Sequence, residues 1–293
     1  MNLSKTRSLI LLHFIVFIWG FTGVLGKLIN MSSEHIVWNR MSIAFLSLFI
    51  INKFIYTHKS IKNKKHVMYY ILIGGFVTIH WICFFESIKL STVSLALICL
   101  SSISLFTALL EPLFQKRKIL IHELLLSILV SVGIMIIFSY ELNYYKAIIL
   151  SVVSAFFGAL FTVCNHQLIK QGHKSTILTS WEMLGGVIFL TIYLIITRQF
   201  NLNIIPNNMD ILYTLILGLV CTAFAFCASV EIMKKLTPFT INLSVNLEPI
   251  YSIILAILIF GQDEKMSLEF YIGGFIILCS IIINTMVKNQ KNR

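Results

Sequence analysis

The feature that most constrains this sequence is a series of apolar segments, each long enough to cross a lipid bilayer and joined to the next by a short polar link. A membrane-spanning helix needs about 20 predominantly apolar residues. Ten such segments lie at about 9–29, 36–55, 67–88, 93–115, 120–140, 146–169, 176–197, 211–233, 238–260 and 267–287. The sequence therefore predicts an all-α polytopic membrane protein with ten transmembrane helices.

Composition and charge support the membrane interpretation. Hydrophobic residues make up 58% of the 293 residues and charged residues only 12%, which is more apolar surface than a soluble domain needs. The formal net charge of +11 would suggest a nucleic-acid partner in a soluble protein. In a membrane protein Lys and Arg instead mark the cytoplasmic links, and most of the 23 lie on the side of the N-terminus. We therefore predict no nucleic-acid partner, and both termini in the cytoplasm.

The ninth apolar segment has an earlier copy in the fourth. Lys89–Ser91 aligns with Lys235–Thr237 at an offset of 146 residues. Helices 1–5 then correspond to helices 6–10, and because five is odd the two halves cross the membrane in opposite directions. The sequence thus predicts two inverted five-helix repeats, at residues 9–140 and 146–287. Such repeats are typical of transporters that bind a solute near the midplane and expose it by rocking one half against the other.

Several short motifs follow one another in a defined order. They are Phe17-Ile18-Trp19-Gly20, Arg40, Ser87-Ile88-Lys89-Leu90-Ser91, Lys235-Leu236-Thr237-Pro238, Glu248-Pro249 and Phe260-Gly261. In order and spacing they resemble the drug/metabolite transporter superfamily, in its ten-helix form with two EamA-type units, over residues 9–287. The resemblance implies a solute exporter or facilitator of the bacterial inner membrane, for amino acids or other small metabolites. It also implies a central cavity lined mainly by helices 1, 3, 4, 6, 8 and 9.

One motif departs from the pattern usual in this superfamily. The fourth helix ends with Glu111-Pro112, where a Gly-Glu ending is commoner. At the offset of 146, Glu111 aligns with Ile257 and not with Glu248. The two Glu-Pro pairs are therefore not repeat equivalents, and a role cannot be transferred from one to the other.

Glu248 is the strongest candidate for a functional residue. A carboxylate near the bilayer centre is costly unless it faces protein or water. It could bind the amino group of a solute or carry a coupled proton, or it could be a permanently protonated carboxyl that hydrogen-bonds neighbouring helices. Asn242 and Asn246 lie at a similar depth and add donors and acceptors for a substrate, although Asn246 could equally join two helices.

A histidine and two tryptophans also lie in the middle of predicted helices. Tryptophan is usually found at the membrane interface, so the central positions of Trp19 and Trp81 indicate a cavity wall or gate, with helix packing as the alternative. A tryptophan ring stacked over an ammonium group would suit an amino-acid-like substrate. His80 could titrate near neutral pH and is a second candidate for proton coupling, or it could be a hydrogen-bonded packing residue.

Polar residues nearer the helix ends are weaker candidates. Asn165 lies near the cytoplasmic end of helix 6, where it could form the inner mouth of the pathway or contact lipid headgroups. Arg40 and Glu182 are repeat equivalents on opposite sides of the membrane, and we expect Arg40 to extend to the outer surface. Glu86 and Lys89, three residues apart, are placed to form an ion pair.

Neither a cofactor nor a metal site is predicted. The six cysteines lie in apolar segments without Cys-x-x-Cys spacing, and no second histidine lies at ligand spacing from His80. A Gly-x-x-x-x-Gly-Lys-Ser/Thr loop is absent from the sequence, so the chain is not expected to hydrolyse ATP.

The sequence therefore predicts a transporter, not an enzyme, that exports amino acids or similar small metabolites by alternating access. Proton coupling and facilitated diffusion fit its residues equally well. A flippase for a lipid or polyprenol conjugate on the same fold is the alternative. An intramembrane lipid-modifying enzyme would require clustered Asp and His residues, whereas the acidic residues here are scattered. The expected partners are a small-molecule solute and the lipid bilayer, for a monomer or a homodimer.

Overall fold

The computed structural model of the chain describes residues 4–55 and 64–291, which are helical apart from short links. The helices are α1 (Lys5–Leu28), α2 (Ser33–Ile50), α3 (Lys64–Leu90), α4 (Val93–Leu100), α5 (Ile103–Gln115), α6 (Ile121–Tyr140), α7 (Tyr145–Lys170), α8 (Ser175–Ile196), α9 (Asn208–Leu215), α10 (Ala225–Ile232), α11 (Pro238–Val245), α12 (Glu248–Phe260) and α13 (Leu268–Lys291). Two π-helical segments, Ile51–Ile55 and Ile216–Phe224, continue α2 and join α9 to α10.

Eight helical stretches are long and apolar enough to cross a membrane by length and composition, and two shorter apolar helices accompany them in the described residues. The eight are Lys5–Leu28, Ser33–Phe54, Lys64–Leu90, Val93–Gln115, Leu142–Lys170, Ser175–Ile196, Met209–Ile232 and Pro238–Glu264, and the shorter two are Ile121–Ile137 and Leu268–Ser280. The predicted all-α, multi-pass class is confirmed. The count of ten crossings remains a prediction.

Two of the predicted helices are broken in the middle, although the sequence predicted each as continuous. Segment 93–115 is divided into α4 and α5, and segment 238–260 into α11 and α12. The first parts have 8 residues each and the second parts 13 residues each. These elements are therefore related by an offset of 145, one residue less than the offset read from the links. Within them Asn246 corresponds to Ser101, not to Leu100.

The two breaks have different local causes. At the first, the hydroxyls of Ser101 and Ser102 donate to the carbonyls of Leu97 and Cys99, so they compete with the helical backbone ladder. At the second, Pro249 has no N–H to donate to the carbonyl one turn earlier. Discontinuous helices of this kind place backbone and polar side chains at mid-membrane depth wherever protein or a cavity surrounds them.

Each broken helix begins at a carboxylate from the other half of the chain. Glu264 accepts hydrogen bonds from the backbone N–H groups of Val93 and Ser94, at the start of α4, over 3.1 and 3.0 Å. Glu111 accepts one from the N–H of Phe239, at the start of α11, over 2.8 Å. A carboxylate at a helix N-terminus satisfies otherwise unpaired donors and complements the helix dipole. These two contacts, named here the Glu264 latch and the Glu111 latch, join the halves at both ends of the broken helices.

Close packing of α3 against α8 depends on glycine. A Cβ atom on Gly74 would overlap the backbone carbonyl of Glu182, and one on Gly185 would lie 2.6 Å from the carbonyl oxygen of Ile71. Small residues let membrane helices approach to backbone contact. This contact holds a helix of the first half firmly against one of the second.

Candidate functional site

A cavity lies between the two halves, beside the breaks in α4/α5 and α11/α12. Its empty space is about 670 Å³ including the mouth, and the centres of water-sized molecules can occupy about 70 Å³ of it. It is lined by Trp19, Thr22, Arg40, His80, Trp81, Phe84, Leu100, Ile103, Phe161, Thr162, Phe226, Ser229, Met233, Ile241, Asn242, Val245 and Glu248. The wall thus combines aromatic surface with a few polar groups, as is usual for small-molecule sites.

The seven candidate residues from the sequence divide into three groups. Five of them line this cavity, namely Trp19, His80, Trp81, Asn242 and Glu248. Asn246 lines a narrow crevice between the two helix breaks, which is too small to admit a water molecule and which Glu248 also borders. Asn165 lines neither space.

Glu248 is presented to the cavity by the second helix break. It is the first residue of α12 and is only 5% exposed. Its carboxyl makes neither a hydrogen bond nor an ion pair within 4.0 Å to any residue that the structure describes. Because a buried carboxyl is normally hydrogen-bonded, Glu248 is left with its bonding capacity directed towards the cavity.

The two asparagines of the ninth predicted helix connect α11 to α5. The Asn242 amide donates to Thr107 Oγ1 over 2.8 Å, and its carbonyl oxygen lies 3.5 Å from the hydroxyl of Thr162 on α7. The Asn246 amide donates to Ser104 Oγ over 3.2 Å, and its carbonyl oxygen is buried without a partner. Both side chains therefore contact the opposite half, and Asn242 also borders the cavity.

His80 is anchored on one side of its ring. Its Nδ1 lies 2.8 Å from the carbonyl oxygen of Ser154, and the Ser154 hydroxyl donates to the backbone carbonyl of His80. Since a carbonyl only accepts, Nδ1 carries the proton in this arrangement. The ring packs edge-on against Phe161 at 5.4 Å between centroids. In the neutral ring this leaves Nε2 as a hydrogen-bond acceptor.

The two central tryptophans have different surroundings. Trp19 Nε1 donates to the backbone carbonyl of Cys221 over 3.0 Å. Cys221 belongs to the π-helical segment 216–224, whose wider turn changes the positions of its carbonyls. Trp81 lies beneath the guanidinium of Arg40, with 3.9 Å between the guanidinium carbon and the ring centroid. The indole of Trp81 is therefore part of a cation–π pair.

The expectation that Arg40 extends to the outer surface is wrong. Arg40 is 2% exposed and lines the cavity, where its Nε donates to Thr222 Oγ1 over 2.6 Å. The reason is local: Thr222 lies in the π-helical segment and donates to Leu217 five residues earlier, which turns its oxygen towards α2. Seven residues separate Arg40 from the start of α2, about 10 Å of helix. This depth can be read from the sequence, and it was the signal that could have indicated a buried position for Arg40.

Two other expectations for polar residues are corrected. Asn165 is fully buried and faces the Glu182 carboxyl across α7 and α8, so it does not contact lipid headgroups. Its place at the inner mouth of the pathway stays a prediction. The amide and carboxyl atoms of this pair make no hydrogen bond of normal geometry. Glu86 and Lys89 do not pair with each other. Glu86 accepts from Ser33 Oγ over 2.7 Å, and Lys89 donates to a backbone carbonyl at the α1–α2 link.

All six helices that the resemblance implied for the cavity wall contribute residues to it, and α2 adds Arg40. Across the described ranges, no group of three His, Cys, Asp or Glu side chains is placed to hold a metal ion. The chemistry offered by the cavity is therefore that of one guanidinium, one carboxyl, one imidazole, hydroxyls, an amide and aromatic rings.

Comparisons with known proteins agree with this architecture. The family model of the EamA-like transporter family matches the chain twice, over residues 6–139 and 145–286. No curated protein matches the chain. Among the solved structures 25 chains match. One, described only as "Crystal structure of protein", superposes with a TM-score of 0.71 over 97% of this chain and 99% of its own, at 12% identity. At that identity the likeness shows the fold alone.

Proposed function

This chain belongs to the EamA-like transporter family, and from that premise we propose that it exports amino acids or similar small metabolites across the bacterial inner membrane. The observation that carries the proposal is the cavity between the halves, in which Glu248 faces open space without a hydrogen bond. A carboxyl in that position can bind a cationic group that arrives with a solute. The family makes the chain a membrane transporter, and the cavity supports the choice of solute.

The proposed transport cycle moves the two halves, residues 9–140 and 146–287, against each other as inverted five-helix repeats. The two broken helices and the two latches support this cycle. Each latch lies where a helix of one half begins against a carboxylate of the other. In the orientation predicted from Lys and Arg, with both termini cytoplasmic, the Glu264 latch closes the outer end and the Glu111 latch the inner end. Alternating access then requires one latch to open at a time.

Proton coupling follows if Glu248 binds a proton and the solute's ammonium group alternately. When the ammonium binds, the carboxyl releases its proton. When the solute leaves, the carboxyl binds a proton from the other side. This exchange would drive solute export by proton entry. Because the proton and the ammonium group compete for one carboxylate, the protein needs no second acidic residue to bind the proton. In the described part of the chain, Glu248 is the one acidic residue that borders the cavity.

The test uses purified protein in liposomes that contain a pH-sensitive dye, challenged with a panel of amino acids and related metabolites. We expect the wild type to move at least one amino acid together with a proton signal, and Glu248→Gln to abolish that signal. Glu182→Gln is the matched control because Glu182 is also fully buried but lies outside the cavity. A folded Glu248→Gln variant with unchanged proton-linked flux would make Glu248 structural. A wild type that moves none of the panel refutes the proposed function for these solutes.

A further inference from the structure

Arg40 is a buried cation that the proposed role of Glu248 leaves unexplained. Its guanidinium is enclosed in the wall of the cavity, and of its donors Nε is bonded, to Thr222, while Nη1 has no partner. Taking a charge out of water is unfavourable unless a partner satisfies it. In membrane segments such residues mark the path of a substrate. Among the described residues Arg40 therefore has hydrogen-bonding capacity that no contact uses, and an anionic ligand could satisfy it.

The guanidinium is held in one orientation before any partner arrives. Its central carbon lies 3.9 Å from the centre of the Trp81 ring and 5.8 Å from that of Phe85, and its Nε is fixed to Thr222. Thr222 is itself fixed by its hydrogen bond to Leu217 over 2.7 Å. A guanidinium fixed in this way is oriented before a ligand arrives, and guanidinium groups bind carboxylates in a defined, planar geometry. The site is thus preorganised for a carboxylate and not merely for negative charge.

Glu248 does not fill this role in the structure. No contact within 4.0 Å joins its carboxyl to Arg40, although both groups line the same cavity and lie close enough to interact electrostatically. A ligand between them would contact both groups. A zwitterion with its carboxylate on Arg40 and its ammonium on Glu248 leaves neither charge unpaired, whereas a simple amine or a simple carboxylate pairs only one.

We propose that Arg40 is the carboxylate-binding residue of the central site, and that the substrate is a zwitterionic α-amino acid bound between Arg40 and Glu248. The remaining wall selects an uncharged side chain, because it consists mainly of aromatic and aliphatic groups such as Phe161, Phe226 and Ile241. This inference rests on the proposed function, since it assigns the substrate class of the same cavity.

The experiment compares three probes that differ only at the carboxyl position: L-leucine, L-leucinamide and 3-methylbutylamine, which lacks the carboxylate. For each, the concentration that gives half-maximal dye response is measured in the same liposomes. We expect the wild type to need about 30-fold less leucine than amine, as for a lost partner of a buried charged hydrogen bond. The ratio of the half-maximal concentration of 3-methylbutylamine to that of leucine should fall close to one in Arg40→Gln. In Arg40→Lys, whose ammonium lacks the planar geometry of a guanidinium, the ratio should take an intermediate value.

Two further variants keep the test decisive. Arg198→Gln is the control, since Arg198 lies outside the cavity wall, and its ratio should equal that of the wild type. If Arg40→Gln does not fold, Thr222→Val retains the arginine but removes the acceptor of its Nε, and the ratio should fall several-fold.

The outcomes separate this inference from the function on which it rests. An unchanged ratio in a folded Arg40→Gln variant would show that Arg40 only balances the charge of Glu248. A wild type that moves amines but no amino acid would likewise overturn the inference, while leaving the transport function in place. A wild type that moves none of the solutes overturns both.

Discussion

Replacing Glu264 with glutamine should open the end of the cavity that the Glu264 latch closes. One carboxylate oxygen accepts from the N–H of Val93 and lies 2.8 Å from Lys27 Nζ, and the other accepts from the N–H and the hydroxyl of Ser94 over 3.0 and 2.7 Å. The carboxylate side chain is fully enclosed, whereas the lysine is 24% exposed. The substitution keeps the shape of the side chain but turns one acceptor into a donor and removes the charge.

The expected size of the effect follows from those contacts. Hydrogen bonds to a charged group contribute about 1.5–3 kcal/mol net, and the amide loses at least one of them to Ser94. The ion pair with partly exposed Lys27 adds at most about 1 kcal/mol. A total of about 3 kcal/mol shifts an equilibrium between closed and open states by roughly 150-fold. The effect is on the conformational equilibrium, because the latch breaks when that end opens.

The assay reads this shift as the alkylation rate of one cysteine in the cavity wall. Thr22 is 4% exposed and borders the cavity on α1, so Thr22→Cys, in a background without the six native cysteines, reports access from the Glu264 side. A membrane-impermeant maleimide is applied to either face of the liposome. We expect the rate to rise by about two orders of magnitude in Glu264→Gln and to stay unchanged in Asp263→Asn, an exposed neighbour. A folded Glu264→Gln variant that reacts no faster would refute the latch.

Three further predictions concern the Glu111 latch, the packing of α3 against α8, and Asn165. Glu111→Gln removes the carboxylate at the start of α11, and we expect faster alkylation of Met233→Cys from the opposite face, with no change if that end is held by other contacts. Gly74→Ala should lower the thermal unfolding midpoint by several degrees, since overpacking costs about 1–3 kcal/mol, whereas Gly75→Ala meets only a movable ring at 3.0 Å; equal midpoints would contradict the packing argument. Asn165→Leu should leave the apparent affinity for leucine unchanged, because Asn165 lies outside the cavity wall, and a large loss of affinity in a folded variant would return it to the site.

The sequence predicted what depends on local composition and failed where the outcome depends on distant contacts. Apolar length is enough to place the membrane segments, and polar residues at mid-segment are enough to direct attention to Glu248 and His80. The break at Ser101 contains no proline, and serines in an apolar run are compatible with a continuous helix. Its counterpart at Asn246 precedes a proline, yet a proline inside a membrane helix can also produce only a kink. Each break has a local cause in the folded chain, but the same residues are compatible with a continuous or merely kinked helix, so the sequence of the segment does not decide between these outcomes.

Arg40 shows most clearly why the site could not be completed from the sequence. Periodicity gave its depth but not the direction of its side chain, and a long cationic side chain near a helix end is expected to reach for water. The direction is decided by Thr222, 182 residues later in the chain, within a π-helical segment whose hydrogen bonding departs from the regular helix. Residue types do not reveal such a segment, because its residues are as apolar as those of a regular membrane helix.

The two latches occupy equivalent places in the halves but differ in strength. Glu264 accepts from two backbone N–H groups and a hydroxyl and pairs with Lys27. Glu111 accepts from one backbone N–H and from the Gln115 amide of its own half, and pairs with Arg117 of its own half at 3.3 Å. Among the residues that the structure describes, only the Glu264 latch has an ion pair that joins the halves. Two closed ends of unequal stability give the unliganded protein a preference for one of its two conformations. Unequal carboxylate caps on equivalent helices provide that asymmetry without any difference in the length of the broken helices.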